Sequence, residues 1–242
     1  MTPNSPRPSR SRPVQRYQQR ATKSGTRAAL VMATVAAVVA AGVVGWLLID
    51  DADKNAGPDS LSSSAVLVRP DSHRLGPTTD SPVTFVEFLD FECEACGALF
   101  PAIEKLRADY GDRVTFVVRY FPLSSHFNAE RAARAVEAAA QQGKLEEMYK
   151  RMYQTQTQWA EQRTPKDTVF RTLAAQVGLN MDIFDKAYND PATLARVRVD
   201  TADGQALGVE STPTFFVNNS KLEPRNYNDF TQALDKALAG AR

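Results

Sequence analysis

Cysteine and histidine are both scarce in this chain, with two of each among 242 residues. A tetrahedral metal site built on Cys93 and Cys96 would need further thiolate or imidazole ligands. No other cysteine exists, and His73 and His126 are the only imidazoles. The expectation is therefore no metal, and no cofactor beyond the cysteines themselves. A purely structural disulfide between them would close a very small loop and constrain little of the unfolded chain. No internal repeat is visible, and the length allows one well-packed domain with appendages but not two large ones. Acidic residues are missing from residues 1–27, which carry Arg7, Arg10, Arg12, Arg16, Arg20, Lys23 and Arg27. With those seven set aside, 22 basic residues face 28 acidic ones, so a formal charge of +1 conceals a mildly acidic body. Such a body offers no basic groove to accompany the tail, and no nucleic-acid partner is expected.

The tail, residues 1–27, is rich in Pro, Ser and Gln without apolar periodicity and reads as a disordered cytoplasmic segment. Residues 28–49, from Ala28 to Ile49, then run without a charge and with Thr34 as the one strongly polar side chain. That matches the ~20 residues a helix needs to cross a bilayer. Cations before it and Asp50, Asp51 and Asp53 after it orient the N-terminus to the cytoplasm. The expectation is a single-pass protein of the cell membrane, held by this N-terminal transmembrane helix, with everything beyond it extracytoplasmic. A cleaved signal peptide is the alternative; its apolar core is usually ~7–15 residues, and no small-x-small site follows Trp46. Residues 50–64, with Gly57, Pro58 and a serine cluster, read as a linker.

Beyond the linker, Ala65 to Arg69 reads as a short strand and Pro70 to Pro82 as a loop. Val83 to Leu89 suits a buried central strand. Phe100, Ile103, Leu106 and Tyr110 recur at helical spacing up to Gly111, with Pro101 inside that helix. Val114 to Phe121 is a second apolar strand. From Asn128 to Leu207 the chain is alanine-rich and helix-periodic. Starts are expected at Asn128, at Thr164 with Pro165, at Asn180, and at Asp190 with Pro191. Tyr149, Met152, Tyr153 and Trp159 read as core of this block. Strand character returns at Thr214 to Val217, a turn leads to Lys221 and Leu222, and a last helix carries Phe230, Leu234 and Leu238 on one face. This order describes an α/β sheet interrupted by a helical block.

The chemistry concentrates where the first apolar strand runs into Cys93-Glu94-Ala95-Cys96. A dithiol placed between a strand and a helix sits at the helix N-terminus, where free N–H groups and the helix dipole favour a thiolate. A thiolate is the species that attacks disulfides, and an extracytoplasmic setting is where disulfides persist. By position Cys93 leads the helix and is expected to be the attacking thiol, with Cys96 one turn in as its partner. Far downstream, Thr212-Pro213 precedes an apolar strand, as prolines at strand starts do, and the X-Pro bond there could be cis. Glu87 is a lone acid in an otherwise apolar strand. His126 reads as a capping or packing residue and His73 as a solvated loop residue.

The run from Glu87 to Cys96, together with Thr212-Pro213-Thr214-Phe215-Phe216-Val217, resembles the thioredoxin-like DsbA family over roughly residues 65–242. The resemblance implies a thioredoxin-like fold with a helical domain inserted at about 124–207, between the second and third strands of the thioredoxin core. It implies that Cys93 is the exposed nucleophile of a redox-active disulfide with Cys96 as its buried partner. Glu87 would be the buried acid assisting proton transfer, and Thr212 and Pro213 a cis-proline element that contacts substrate backbone beside Cys93. It implies a protein disulfide oxidase acting on exported polypeptides with thiols, reoxidised by a membrane quinone-linked partner of DsbB or VKOR type. The departure lies between the cysteines, where the family's oxidant has Pro-His and this chain has Glu94-Ala95. With Asp90 and Glu92 nearby, that acidity is expected to raise the Cys93 pKa and make a milder oxidant. A reductase or isomerase on the same fold is the nearest alternative, and a non-catalytic binding or holdase module a more distant one.

Overall fold

The computed structural model describes residues 66–76 and 81–241. The expected tail (1–27), membrane helix (28–49) and linker (50–64) lie outside them. Five strands, β1 (His73–Leu75), β2 (Thr84–Leu89), β3 (Thr115–Tyr120), β4 (Thr214–Val217) and β5 (Ser220–Leu222), form one sheet in the order β1-β3-β2-β4-β5. β2 and β3 are parallel, in register from Thr84 opposite Thr115 to Leu89 opposite Tyr120, and the other pairs are antiparallel. A parallel pair needs a crossover, and α1 (Glu94–Tyr110) supplies it. Between β3 and β4 come α2 (Ala129–Ala140), α3 (Leu145–Thr155), α4 (Asp167–Gln176), α5 (Met181–Asn189) and α6 (Pro191–Ala206). The chain closes with α7 (Tyr227–Gly240), started by a capping box between Asn226 and Asp229. This is an α/β thioredoxin-like fold with a helical insertion.

The apolar strands are covered on both faces. Side-chain alternation along β2 sends Phe85 and Leu89 into the cluster shared with Ile103 and Leu106 of α1 and Phe230 and Leu234 of α7. Phe85 meets the rings of Phe116, Phe215 and Phe230 at centroid separations of 5.3, 5.5 and 6.0 Å. Val86 and Phe88 point the other way and pack with Val117, Phe121, Val209 and Phe216. On that face α6 comes so close that a Cβ on Gly204 would lie 2.7 Å from the Phe121 ring. Glu87, between Val86 and Phe88, therefore shares the face of Phe85 and Leu89, toward α1.

One ionic cluster ties three parts of the chain together. Arg119, in β3 and fully buried, donates through Nε to Asp200 Oδ1 at 2.7 Å and through Nη2 to Asp203, both on α6. Its Nη1 reaches the carbonyls of Val66 and Leu67 at 2.9 and 2.5 Å. Arg69 adds a second bidentate contact to Asp203, at 2.5 and 2.7 Å.

This cluster explains two departures from expectation. Val66 to Arg69 is not a strand, because its carbonyls accept from the Arg119 guanidinium and the Arg69 N–H donates to Ser72 Oγ at 2.8 Å. The first strand is instead His73–Leu75, inside the expected loop. His73 is accordingly not solvated. Its Nε2 is 2.6 Å from Glu137 Oε2 of α2, and its ring meets Tyr120 edge-on. A third departure concerns α4, which begins at Asp167 rather than at Pro165. The Asn128 side chain bonds the carbonyls of Gln162 and Thr164 and the N–H of Lys166, which holds that stretch outside the helix. The side chain of Asn128 is thereby used up and makes no cap to α2.

Removing one member of a buried ion pair leaves its partner uncompensated, which costs about 3–5 kcal/mol. Arg119→Met should therefore lose about that much unfolding free energy in urea, while Arg171→Met, whose partner Asp185 is exposed, should leave the unfolding midpoint nearly unchanged. Equal losses would show that the Arg119 cluster carries no special weight.

Candidate active site

β2 and β3 end together at Leu89 and Tyr120, and the turn Asp90–Cys93 emerges from that edge. Cys93 is the N-cap of α1, with extended backbone angles and no side-chain cap. Its sulfur faces the first-turn N–H groups of Ala95 and Cys96, orphan donors at any helix start. β4 pairs with β2 so that Thr214 lies opposite Phe88, which brings the preceding Thr212-Pro213 to the same edge. The Thr212–Pro213 bond is cis, and the Cys93 thiol donates to the Thr212 carbonyl at 3.3 Å. Both cysteines are free thiols and both are buried: Cys93, expected to be exposed, keeps 7% because Thr212 lies against its sulfur, and Cys96 keeps 1%.

The two thiols are driven in opposite directions. A hydrogen bond from the Cys96 thiol is the largest influence on Cys93, followed by burial, which opposes it, then by Thr212 and by the N–H groups of Cys96 and Ala95. The outcome is a Cys93 pKa lowered to about 5. Cys96 is pushed well up, first by burial and then by donating to Cys93 and by the negative charges of Glu87 and Cys93. Glu87 is raised to about 8, mainly by burial and secondarily by the charges of Cys93 and Glu104. Its Oε2 has no hydrogen-bond partner among the described residues. At neutral pH this acid is protonated beside the dithiol.

The expected acidic destabilisation of the Cys93 thiolate does not occur. Asp90 is buried and turned away: Oδ1 accepts from the Glu92 N–H at 2.8 Å, and Oδ2 from the Leu123 N–H at 3.0 Å. The Glu92 carboxylate accepts from the Asn128 N–H, and the side chain of Glu94 is on the exposed outer surface of the first turn. Helix-start donors and the second thiol outweigh them.

Two further residues come to the site from far along the chain. His126, expected to cap or pack, has Nδ1 2.7 Å from Asp90 Oδ2. Gln156, in the 3₁₀ turn after α3, donates from Nε2 to the carbonyls of Phe91 and Cys93, both at 2.8 Å. Its amide lies where a Cβ on Gly97 would stand, 1.9 Å from Oε1, so a side chain there would push the Gln156 amide off these carbonyls. Tyr153 stacks on Phe100 and packs against Phe91, so the aromatic residues of α3 pack against the catalytic turn as well as serving the core of the insertion. No local spacing announces His126 or Gln156, which lie 33 and 63 residues beyond Cys93. A groove of about 500 Å³ adjoins Pro213, lined by Leu99, Phe215, Lys221 and Arg225 among others. Among the described residues no group of three or more His, Cys, Asp or Glu side chains could hold a metal ion.

Cys93 and Glu87 give opposite pH signatures. Cys93 has a folded pKa below its unfolded value of ~8.5, so it stabilises the reduced fold above that value, and this is lost as pH falls through about 5. Glu87 has a folded pKa above its unfolded ~4.3, so its contribution is full below that and is lost as pH rises through about 8. Thiolate absorbance of the reduced protein should rise with a midpoint near pH 5. Glu87→Gln should gain stability relative to the parent between about pH 4 and pH 8, on the order of 5 kcal/mol across that range. A pH-independent difference in urea unfolding would mean that the acid is already ionised.

A family model described as thioredoxin matches residues 69–236. Among solved structures, the chain is similar to a thioredoxin-like oxidoreductase from Silicibacter pomeroyi, at 27% identity and TM-score 0.58, covering 75% of this chain and 98% of that one. It is similar in fold to Wolbachia pipientis α-DsbA1, at TM-score 0.62 and 23% identity over 74% and 97% of the two chains. BdbD of Bacillus subtilis gives TM-score 0.59 and 22% identity over 70% and 94%. Among curated relatives, the Na(+)/H(+) antiporter NhaA 1 of Mycobacterium sp. (strain KMS) is 34% identical over 191 residues, 76% of this chain. The chain spans only 30% of that protein's length. With its sheet order, its dithiol at the start of α1 and a family match over most of its length, this chain belongs to the thioredoxin-like family and has the fold of the DsbA-type thiol–disulfide oxidoreductases.

Proposed function

We propose that this chain is an extracytoplasmic thiol–disulfide oxidoreductase that forms disulfides in exported polypeptides through Cys93 and Cys96. The observation that carries this is the opposed tuning of the two thiols at one helix start: Cys93, against Thr212, lowered to about 5, and Cys96, the more deeply buried, raised. Lowering the pKa of Cys93 stabilises the reduced dithiol, and a stabilised reduced form makes an oxidant. Acidity around Cys93 would favour a reductase, but Asp90 and Glu92 direct their carboxylates to backbone N–H groups and Glu94 faces outward.

A substrate thiolate attacks Cys93 Sγ of the disulfide form, and the Cys93–Cys96 bond breaks. The bonding electron pair leaves on Cys96, whose high proton affinity lets it take the proton that Glu87 holds. A second substrate thiolate attacks the substrate sulfur of the mixed disulfide and expels Cys93 as a thiolate, a leaving group favoured by its low pKa. The substrate loses two electrons and gains a disulfide, and the enzyme ends as a dithiol. Thr212 and Pro213 border the path by which an extended substrate reaches the sulfur, where backbone pairing along an open edge would align it. A membrane quinone-linked partner of DsbB or VKOR type would then take the two electrons back out.

Residues 28–49 would anchor the domain in the cell membrane with residues 1–27 in the cytoplasm. Among the described residues no helix is long and apolar enough to cross a membrane. We infer that what this chain shares with the much longer antiporters is the thioredoxin-like domain.

Cys96→Ala should accumulate mixed disulfides with exported proteins, seen as bands lost on reduction, and Cys93→Ala should not. Equal accumulation in both variants would overturn the role of Cys93 as attacking thiol. The reduction potential should lie above the glutathione range of about −220 to −260 mV. A value near the −270 mV typical of thioredoxin would make the chain a reductase instead.

A further inference from the structure

His126 lies outside the dithiol motif, yet its ring is fixed to the catalytic turn. Nδ1 stands 2.7 Å from Oδ2 of Asp90, a carboxylate at 0% side-chain exposure, while the ring keeps 19%. The backbone carbonyl of the same Asp90 accepts the Cys93 N–H at 3.2 Å. One residue therefore holds both the imidazole and the start of the nucleophile's helix. His126 is further located by its own N–H, which donates to the Leu123 carbonyl at 3.0 Å, and Leu123 N–H returns to the same Asp90 carboxylate. Two backbone N–H groups donate to this buried carboxylate but carry no charge, so a cationic ring is the partner that offsets the charge of an ionised Asp90. The charged groups around the ring are Asp90, Glu92 and Cys93 of the turn, with Glu161 and Arg163 bordering the same small cavity from the helical insertion.

We propose that His126 is a positioning residue of the dithiol site, whose imidazolium, fixed by Asp90 beside the catalytic turn, favours the Cys93 thiolate and so the reduced form of the protein. Burial opposes protonation of the ring, but Asp90 first, then the charges of Cys93 and Glu92, raise its pKa above the ordinary histidine value. The charge of Cys93 exists only in the dithiol form. Forming the disulfide removes it, and by reciprocity the imidazolium must then lose part of its support. The oxidising drive of the site therefore falls as pH rises through the His126 titration.

This rests on Cys93 and Cys96 being a redox pair, and the tests separate the two ideas. In the unaltered full chain, the His126 imidazole resonance should titrate roughly half to one pH unit higher in the dithiol form than in the disulfide form. His126→Gln, which keeps a donor for Asp90 but no charge, should raise the Cys93 thiolate midpoint by the same amount. It should also shift exchange equilibrium with glutathione roughly three- to tenfold toward the disulfide form. Identical His126 midpoints in both redox forms, or an unshifted Cys93 midpoint in the variant, would overturn the role of His126 while leaving the redox pair intact. Failure of the unaltered protein to exchange with glutathione at all would remove both. Because the resonance comparison uses the unaltered chain, a variant that fails to fold does not decide the matter.

Discussion

Asp90 has its carboxylate withdrawn from water where β2 ends, and such a group is tolerated only when its lone pairs are filled. Three donors fill them: the N–H groups of Glu92 and Leu123 and the ring of His126. Burial still pushes its pKa up, with those donors pulling against it. The arrangement joins the loop that follows β2 to the loop that follows β3. Because those strands are parallel, both loops leave the sheet at one edge, and Asp90 fixes their separation. The helix start, the reactive sulfur and the entry to the helical insertion are all referred to this one carboxylate.

From that frame the difference between the thiols follows with little extra machinery. Cys93 sits where a helix has donors to spare, and Cys96 sits one turn later where the donors are used and the surroundings are apolar. The same sulfur that is stabilised as an anion makes its neighbour harder to ionise, so the pair cannot be tuned independently. Glu87 enters the same coupling from beneath, at the centre of β2 between Val118 and Phe215. An acid with no cation beside it stays neutral there, and neutrality is the state in which it holds a proton to give.

Much of this was legible from the chain itself where chemistry and position coincide. The largely apolar runs Thr84–Leu89 and Thr115–Tyr120, broken only by Glu87 and Arg119 among charged residues, specified strands buried on both faces, and Asn180 and Asp190 mark true helix starts, each accepting from first-turn N–H groups. Cys93, Cys96, Thr212 and Pro213 do come together at one edge, with Glu87 beneath them at the centre of β2. What escaped was set by contacts across long sequence distances. Val66 to Arg69 has strand composition, but Arg119 claims its carbonyls. Thr164-Pro165 has helix-start composition, but Asn128 claims its flanking backbone groups. Asp90 and Glu92 were visible as charges near Cys93, whereas the backbone donors that absorb them are set by the fold. His126 and Gln156 carry no local signal, because their partners are carbonyls and a carboxylate of the catalytic turn.

The Arg119 cluster has a mechanical consequence. The carbonyls of Val66 and Leu67 hang on a guanidinium rooted in β3, and Arg69 grips the same aspartate from the other side. Tension applied through the chain that precedes Val66 is thus delivered to the interior of the sheet and to α6, through charge-assisted bonds. Arg119 pairs with Phe88 of β2, so a domain tugged from its N-terminal side feels the pull in the strand that carries the Cys93 turn.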